Sequence, residues 1–300
     1  MTRTVVVGLD GSPESLAAAD WAAREALLRT LPLRLVHVEE ADSHPHPLSV
    51  PDAGSRQRRQ RAPDEVADEV AAGLARRHPA LDVAVEHLAG RPAEVLQGTA
   101  DGTDLLVLGS RGRGALAALL AGSVRLSTVA RAACPVVLVR AGPAGTEGTH
   151  APSAEEAPRR DTVLGLDLGK PYDELIAFAF DTAARHGTGL HVVHGWEPPA
   201  VYGIHPAALG PRPVDDLTAE RAGTLAGVLR PWREEHPEVE VRAEAVVGRP
   251  AHRLLEAAAG AFLVAVGRHR RRSPLGHHTG PVVHALVHHC TAPVAVVPHD

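Results

Sequence analysis

Leu105-Leu106-Val107-Leu108-Gly109-Ser110-Arg111-Gly112-Arg113-Gly114, followed by a small-residue run to Gly122-Ser123-Val124, is the stretch on which the reading of this chain turns. The aliphatic run Leu105–Leu108 has the pattern of a strand buried on both faces of a parallel sheet. The segment from Ser123 to Ala133 reads as a helix with Ser123 near its start. A strand, a glycine-rich loop and a helix N-terminus in succession form an anion cradle. Glycine lets the backbone approach a ligand and turn its N–H groups inward, and a helix start adds unpaired donors and partial positive charge. Phosphate is the expected occupant.

The spacing is Gly109, two residues, Gly112, nine residues, then Gly122-Ser123. It is not the P-loop pattern, since no Gly-Lys-Ser/Thr closes it, and it lacks the compact helix start of a dinucleotide fingerprint. It resembles the Gly-x2-Gly-x9-Gly-Ser/Thr ATP-binding signature of the universal stress protein family. The resemblance implies an α/β fold of Rossmann-like type, a five-stranded parallel sheet in the order 3-2-1-4-5 with helices on both faces, and ATP as ligand, with Mg2+ or Mn2+ as a companion ion.

Working outward, the chain is one unit written twice. Val163-Leu164-Gly165-Leu166-Asp167 repeats Val6-Val7-Gly8-Leu9-Asp10, and the strand-end His194 repeats His37. Gly248-Arg249-Pro250-Ala251 repeats Gly90-Arg91-Pro92-Ala93, Gly267 and Gly280 repeat Gly109 and Gly122, and Pro293-Val294 repeats Pro135-Val136. The chain's 300 residues suit two domains of ordinary size. The expected division is a first domain over 1–141 with the intact motif, a Gly/Pro/Ser/Thr/Glu linker over 142–160, and a second domain over 161–300 with a degenerate motif. Each domain alternates strands and helices, which predicts a parallel sheet with right-handed crossovers. Tandem members of the family pair their two halves. The apolar fifth strands, Pro135–Val139 and Pro293–Val297, would be the edges covered in this way, with self-association as a further expectation.

Composition narrows the functional classes. A formal net charge of −5 gives no support for nucleic-acid binding driven by overall charge, and Lys170 is the only lysine. No apolar run is long enough to span a bilayer, and Met1-Thr2-Arg3-Thr4 leads straight into a strand pattern without a signal-peptide core. With only two cysteines, Cys134 and Cys290, a disulfide framework is excluded and a cytoplasmic setting is expected.

In a parallel sheet of this kind ligands bind beyond the C-terminal strand ends, where the strand order reverses. Gly8 and Asp10 follow the first strand, His37 and Val38 end the second, and the glycine loop follows the fourth. Asp10 reads either as a turn or helix cap or, from the resemblance, as a carboxylate beside the nucleotide and its cation. From the resemblance Val38 offers an apolar wall to adenine. Gly109, Gly112, Gly114, Gly122, Ser123 and Val124 carry the cradle, and Arg111 and Arg113 are placed to reach phosphate. The C-terminal histidines His277, His278, His284, His288 and His289 with Cys290 include one chelating spacing, His284/His288, but no complete metal ligand set. No nucleophile–base pair, nucleophile elbow or kinase-type motif is present.

The expected function is therefore a tandem universal stress protein that binds ATP in its first half and regulates rather than catalyses. The alternatives are a weak ATPase or nucleotidyl-transfer relative of the same fold, separated by turnover, and an interaction module that binds no nucleotide. The second half is expected to bind ATP weakly or not at all: Arg270 stands where Gly112 stands in the first half, and Gly280-Pro281 replaces Gly122-Ser123.

Overall fold

The computed structural model describes residues 3–39, 63–110, 118–141, 160–198, 212–270 and 279–300. The chain divides into two compact units, the first carrying strands β1–β5 and the second β6–β10.

In the first unit the elements are β1 (Val5–Leu9), α1 (Pro13–Arg29), β2 (Leu33–Glu39), α2 (Pro63–Arg77), β3 (Val83–Ala89), α3 (Pro92–Ala100), β4 (Leu105–Ser110), α4 (Ala118–Arg131) and β5 (Val136–Arg140). All strand pairs are parallel and give the order β3-β2-β1-β4-β5. The second unit comprises β6 (Thr162–Gly165), α5 (Asp173–His186), β7 (Leu190–Trp196), α6 (Arg212–Glu235), β8 (Val241–Val247), α7 (Pro250–Ala257), β9 (Leu263–His269), α8 (Pro281–His289) and β10 (Val294–His299). Its order is β10-β9-β6-β7-β8, the same arrangement. The expected fold, two tandem five-stranded Rossmann-like units, is the observed one.

The packing follows from composition. Val5, Val6, Val7, Leu105, Leu106 and Val107 are wholly buried, as strands covered on both faces must be. Ala18, Ala19, Ala22, Ala23 and Ala26 give α1 a face of small side chains, all fully buried, that lets it lie close on the sheet. Ser12 caps the helix by accepting the Ser15 N–H at 3.2 Å, and Pro13 occupies the first helical position. At the other end Thr30 closes α1 in the left-handed conformation, at φ 54°, where its counterpart after α5 is Gly187, at φ 60°.

Two boundaries that bear on the site differ from the sequence reading. Strand β4 runs through Gly109 and Ser110, because Ser110 still pairs in register with Arg140. The first two residues of the motif thus belong to the strand. Helix α4 starts at Ala118 rather than at Ser123. Ala118, Leu119, Leu120 and Ala121 are strong helix formers and extend the helix upstream, placing Gly122 and Ser123 inside it. In the second unit Pro281, with its fixed φ and missing N–H, starts α8 at the equivalent position.

Candidate functional site

In the first unit β1 and β4 are neighbours, with Gly8 opposite Leu108. The start of α1 packs on Gly109 and Leu96 of α3 packs on Gly8. The strand order reverses between β1 and β4, so a crevice is expected beyond Leu9 and Ser110. The sequence-derived groups Gly8, Asp10, His37, Val38 and Gly109 all arrive at this end of the sheet. Arg111, Gly112, Arg113 and Gly114 lie outside the described residues. Gly122, Ser123 and Val124 lie in α4.

Asp10 organises the turn into α1. Its Oδ1 accepts the Ser12 N–H at 3.0 Å and also the Ser12 hydroxyl. The hydroxyl oxygen of Ser12 in turn accepts from Ser15 N–H, so carboxylate, cap and helix start form one relay at the crevice. His37 is latched to β1, its Nδ1–H donating to the Leu9 carbonyl at 2.9 Å. A carbonyl can only accept, so the proton sits on Nδ1 and Nε2 is the ring's acceptor. Val38 is half-buried beside it.

Two glycines have packing reasons of their own. A Cβ on Gly109 would lie 2.6 Å from the Ser15 nitrogen and 2.7 Å from the Glu14 carbonyl carbon, so only glycine lets α1 begin against β4. A Cβ on Gly8 would meet Leu108 at 2.8 Å and Leu96 at 3.3 Å. These contacts account for both glycines without any ligand.

The structure adds a residue that the motif did not single out. Arg125, half-buried on α4, reaches back to the end of β4, its Nη1 donating to the buried Ser110 hydroxyl at 3.5 Å. A guanidinium therefore stands at the point where the loop leaves the strand. Its signal in the sequence was weak: an arginine on a helix two residues past the motif looks like any solvated side chain.

The second unit repeats the frame and changes the fittings. His194 Nδ1 donates to the Leu166 carbonyl at 2.9 Å, and Asp167 Oδ1 accepts from Gly169 N–H at 2.9 Å. A cavity of about 690 Å³ opens at the ends of β6 and β9, lined in part by Asp167, Lys170, Tyr172, His194, Arg268 and His299. Helix α1 begins three residues after Asp10, but α5 begins six after Asp167, at Asp173. With the helix start withdrawn, the His299 ring takes the place over Gly267, where a Cβ would meet its Nε2 at 2.7 Å. Tyr172 stacks on that ring at 3.5 Å between centroids. Burial holds the His299 pKa below its ordinary value, assisted by the nearby charges of His269 and Arg268 against the opposing pull of Glu174 and a backbone hydrogen bond.

On α8 the rings of His284 and His288 stand 4.4 Å apart, while His277 and His278 lie outside the described residues. Among the described residues no group of three or more His, Cys, Asp or Glu side chains is placed to hold a metal ion. Nor, among them, is any helix long and apolar enough to cross a membrane.

Comparison with known proteins agrees with this architecture. The model of the universal stress protein family matches twice, over residues 1–140 and 159–298. A universal stress protein of Mycobacterium tuberculosis (strain H37Rv) is 37% identical over 302 residues, covering 97% of this chain and 96% of its own length. A second one from the same strain is 36% identical over 318 residues, covering 99% of this chain and 96% of its own. Among solved structures, a universal stress protein from Archaeoglobus fulgidus superposes with a TM-score of 0.63 at 16% identity, covering 99% of this chain and 98% of its own. Two matches of one family model, one on each half of a duplicated α/β frame, make this chain a tandem member of the universal stress protein family.

Proposed function

We propose that the first half binds ATP and that the chain acts in the cytoplasm as a nucleotide-dependent regulator of the stress response rather than as a catalyst. The observation that carries this reading is the convergence at one crevice of Asp10, the capped start of α1, and the Arg125 guanidinium on Ser110, at the root of the Gly-x2-Gly-x9-Gly-Ser loop. The Arg125 cation suits phosphate oxygens, and the Asp10 carboxylate suits a divalent ion carried with them.

Arg125, Arg111 and Arg113 would meet phosphates, with the backbone N–H groups of Gly112 and Gly114 and the Ser123 hydroxyl as further donors, while Gly109, Gly122 and Val124 would shape the β4 and α4 ends around them. Gly8 and Val38 would flank the base, and Asp10 would face a Mg2+ or Mn2+ ion carried with the nucleotide. ATP supplies a state signal through its presence and its phosphates. The protein's part is to bind and orient it.

The test is to denature the purified chain, identify any released nucleotide by mass spectrometry, and titrate the emptied protein with ATP and with ADP. Release or tight binding of ATP at one per chain is the expected result. No nucleotide released and no ATP binding in the titration overturns the proposal.

A further inference from the structure

The cavity in the second half differs from the first-half crevice in ways that change what it can hold. The backbone donor at Arg270, the counterpart of Gly112, is committed to the sheet: its N–H donates to the His299 carbonyl at 2.7 Å. Strand β9 accordingly continues to His269, one residue beyond the end that β4 reaches in the first half. Pro281, the counterpart of Ser123, has neither N–H nor hydroxyl. Two donors that would wrap a phosphate chain are thereby absent. Val38 is replaced by Gly195, and the backbone of Pro250 fills the space where its side chain would stand, 2.7 Å from a Cβ at that position.

What remains is a site of another kind. At about 690 Å³ the cavity has the size of small-molecule pockets. Its walls include Leu166, Leu175, Leu254 and Val266, with the Tyr172–His299 stack as a flat aromatic surface. Among the described residues its cations are Lys170, exposed at the rim, and Arg268, only 5% exposed. Arg268 occupies the position of Ser110, and Val283 that of Arg125. The first half brings a guanidinium to the strand end from the helix, whereas the second grows one from the strand itself. Among the described lining residues the carboxylate is Asp167, and one of its oxygens is engaged by the Gly169 N–H. His194, with its proton held on Nδ1 by the Leu166 carbonyl, offers Nε2 as an acceptor.

We propose that this cavity is a second ligand site, separate from the ATP site, that takes a small organic anion: one carboxylate or phosphomonoester head for Arg268 and Lys170 on a planar, apolar body for the aromatic and aliphatic walls. A planar guanidinium matches either head with two parallel hydrogen bonds. A triphosphate does not fit this chemistry, because its chain needs the donors that Arg270 and Pro281 have removed.

The test uses the full chain and three probes that share one ring system: 1-naphthoate, 1-naphthyl phosphate and the uncharged 1-naphthamide. Calorimetric titration should show one of the two anions, or both, binding at one per chain, and the amide at least about tenfold more weakly, as the loss of a charge-assisted contact requires. Which anion binds identifies the head group. Saturating ATP should leave the anion's affinity unchanged. Arg268→Met should weaken the anion about tenfold or more, and Lys170→Glu, at an exposed position that leaves folding intact, should weaken it in the same direction. The proposal is overturned if neither anion binds at about millimolar concentration, where contacts of this strength would still register. It is equally overturned if the amide binds as well as the anions, if ATP displaces the anion, or if Lys170→Glu has no effect. The same titrations report ATP binding to the first half, so failure of one site is read separately from failure of the other.

Discussion

At the scale of single residues, Gly109 has a packing role and Arg125 a contact with Ser110 that spacing alone did not reveal. Gly109 is needed where the first turn of α1 meets β4, so Gly109→Ala should push Cβ into backbone that cannot move aside. A loss of about 1–3 kcal/mol is expected from such overpacking, read as a lowered urea midpoint with unchanged m-value. Arg125→Gln removes the cation and keeps an amide donor in place of the guanidinium beside Ser110. It should weaken ATP about 10- to 100-fold in a binding titration while leaving the urea midpoint nearly unchanged. Unaltered ATP affinity would remove Arg125 from the site. His299 carries a pH signature. Its folded pKa lies below the ordinary value of about 6.5, so the unfolded chain binds the proton more readily. Stability from this residue is complete above that value and is lost as pH falls through the folded pKa. Urea midpoints at pH 7.5 and 5.5 should therefore differ more in the native chain than in His299→Phe, which retains the stack on Tyr172. Burial likewise pushes the Cys134 thiol up to about 12, which disfavours its thiolate.

At the scale of elements, the duplication supplies its own controls. Thr30 and Gly187 close equivalent helices in the same left-handed conformation, but a β-branched residue resists it and glycine does not. Thr30→Gly should relieve about 1–2 kcal/mol of strain and return part of it as added freedom of the unfolded chain, leaving a net gain below about 1 kcal/mol. A urea midpoint that falls would contradict this account. Element identity was legible from sequence because the signals are local: Val5–Val7 and Leu105–Leu108 can only be buried strands, and Ser12-Pro13 can only begin a helix. The start of α4 was not legible, since Gly122-Ser123 looks like a cap and nothing nearby forbids Ala118–Ala121 from joining the helix. The extent of β4 was hidden too. Gly109 and Ser110 have weak strand propensity, and it is pairing with Val139 and Arg140 that holds them in the sheet. Arg125 escaped notice because its importance comes from where the helix points it, which no pattern in the chain encodes.

At the scale of the whole molecule, the two units share a frame and differ at the strand ends, so their ligand binding should be unequal. We expect one ATP per chain in equilibrium titration. Two equivalent high-affinity ATP sites would contradict both the altered donors at Arg270 and Pro281 and the separate chemistry assigned to the second cavity. The inequality was visible in the sequence as lost glycines. That the second unit nonetheless keeps a roomy, cation-lined cavity was not, because it depends on the late start of α5 and on the His299 ring that moves into the vacated space.

The histidine latch, repeated at 2.9 Å in both units, has a consequence for engineering. It fixes the second strand of each sheet to the first at the same height, so the segments beyond are carried on matched sockets and can be exchanged as cassettes. Residues 109–125 and 267–283 are equal in length and join the same elements on either side. A chimera in which 109–125 replaces 267–283 restores glycine at position 270, serine at 281 and arginine at 283 in one step. Such a chain should fold, lose its affinity for 1-naphthoate and 1-naphthyl phosphate because position 268 becomes serine, and gain ATP affinity in its second half. Specificity in this molecule would then be shared between a transplantable segment and the frame that carries it.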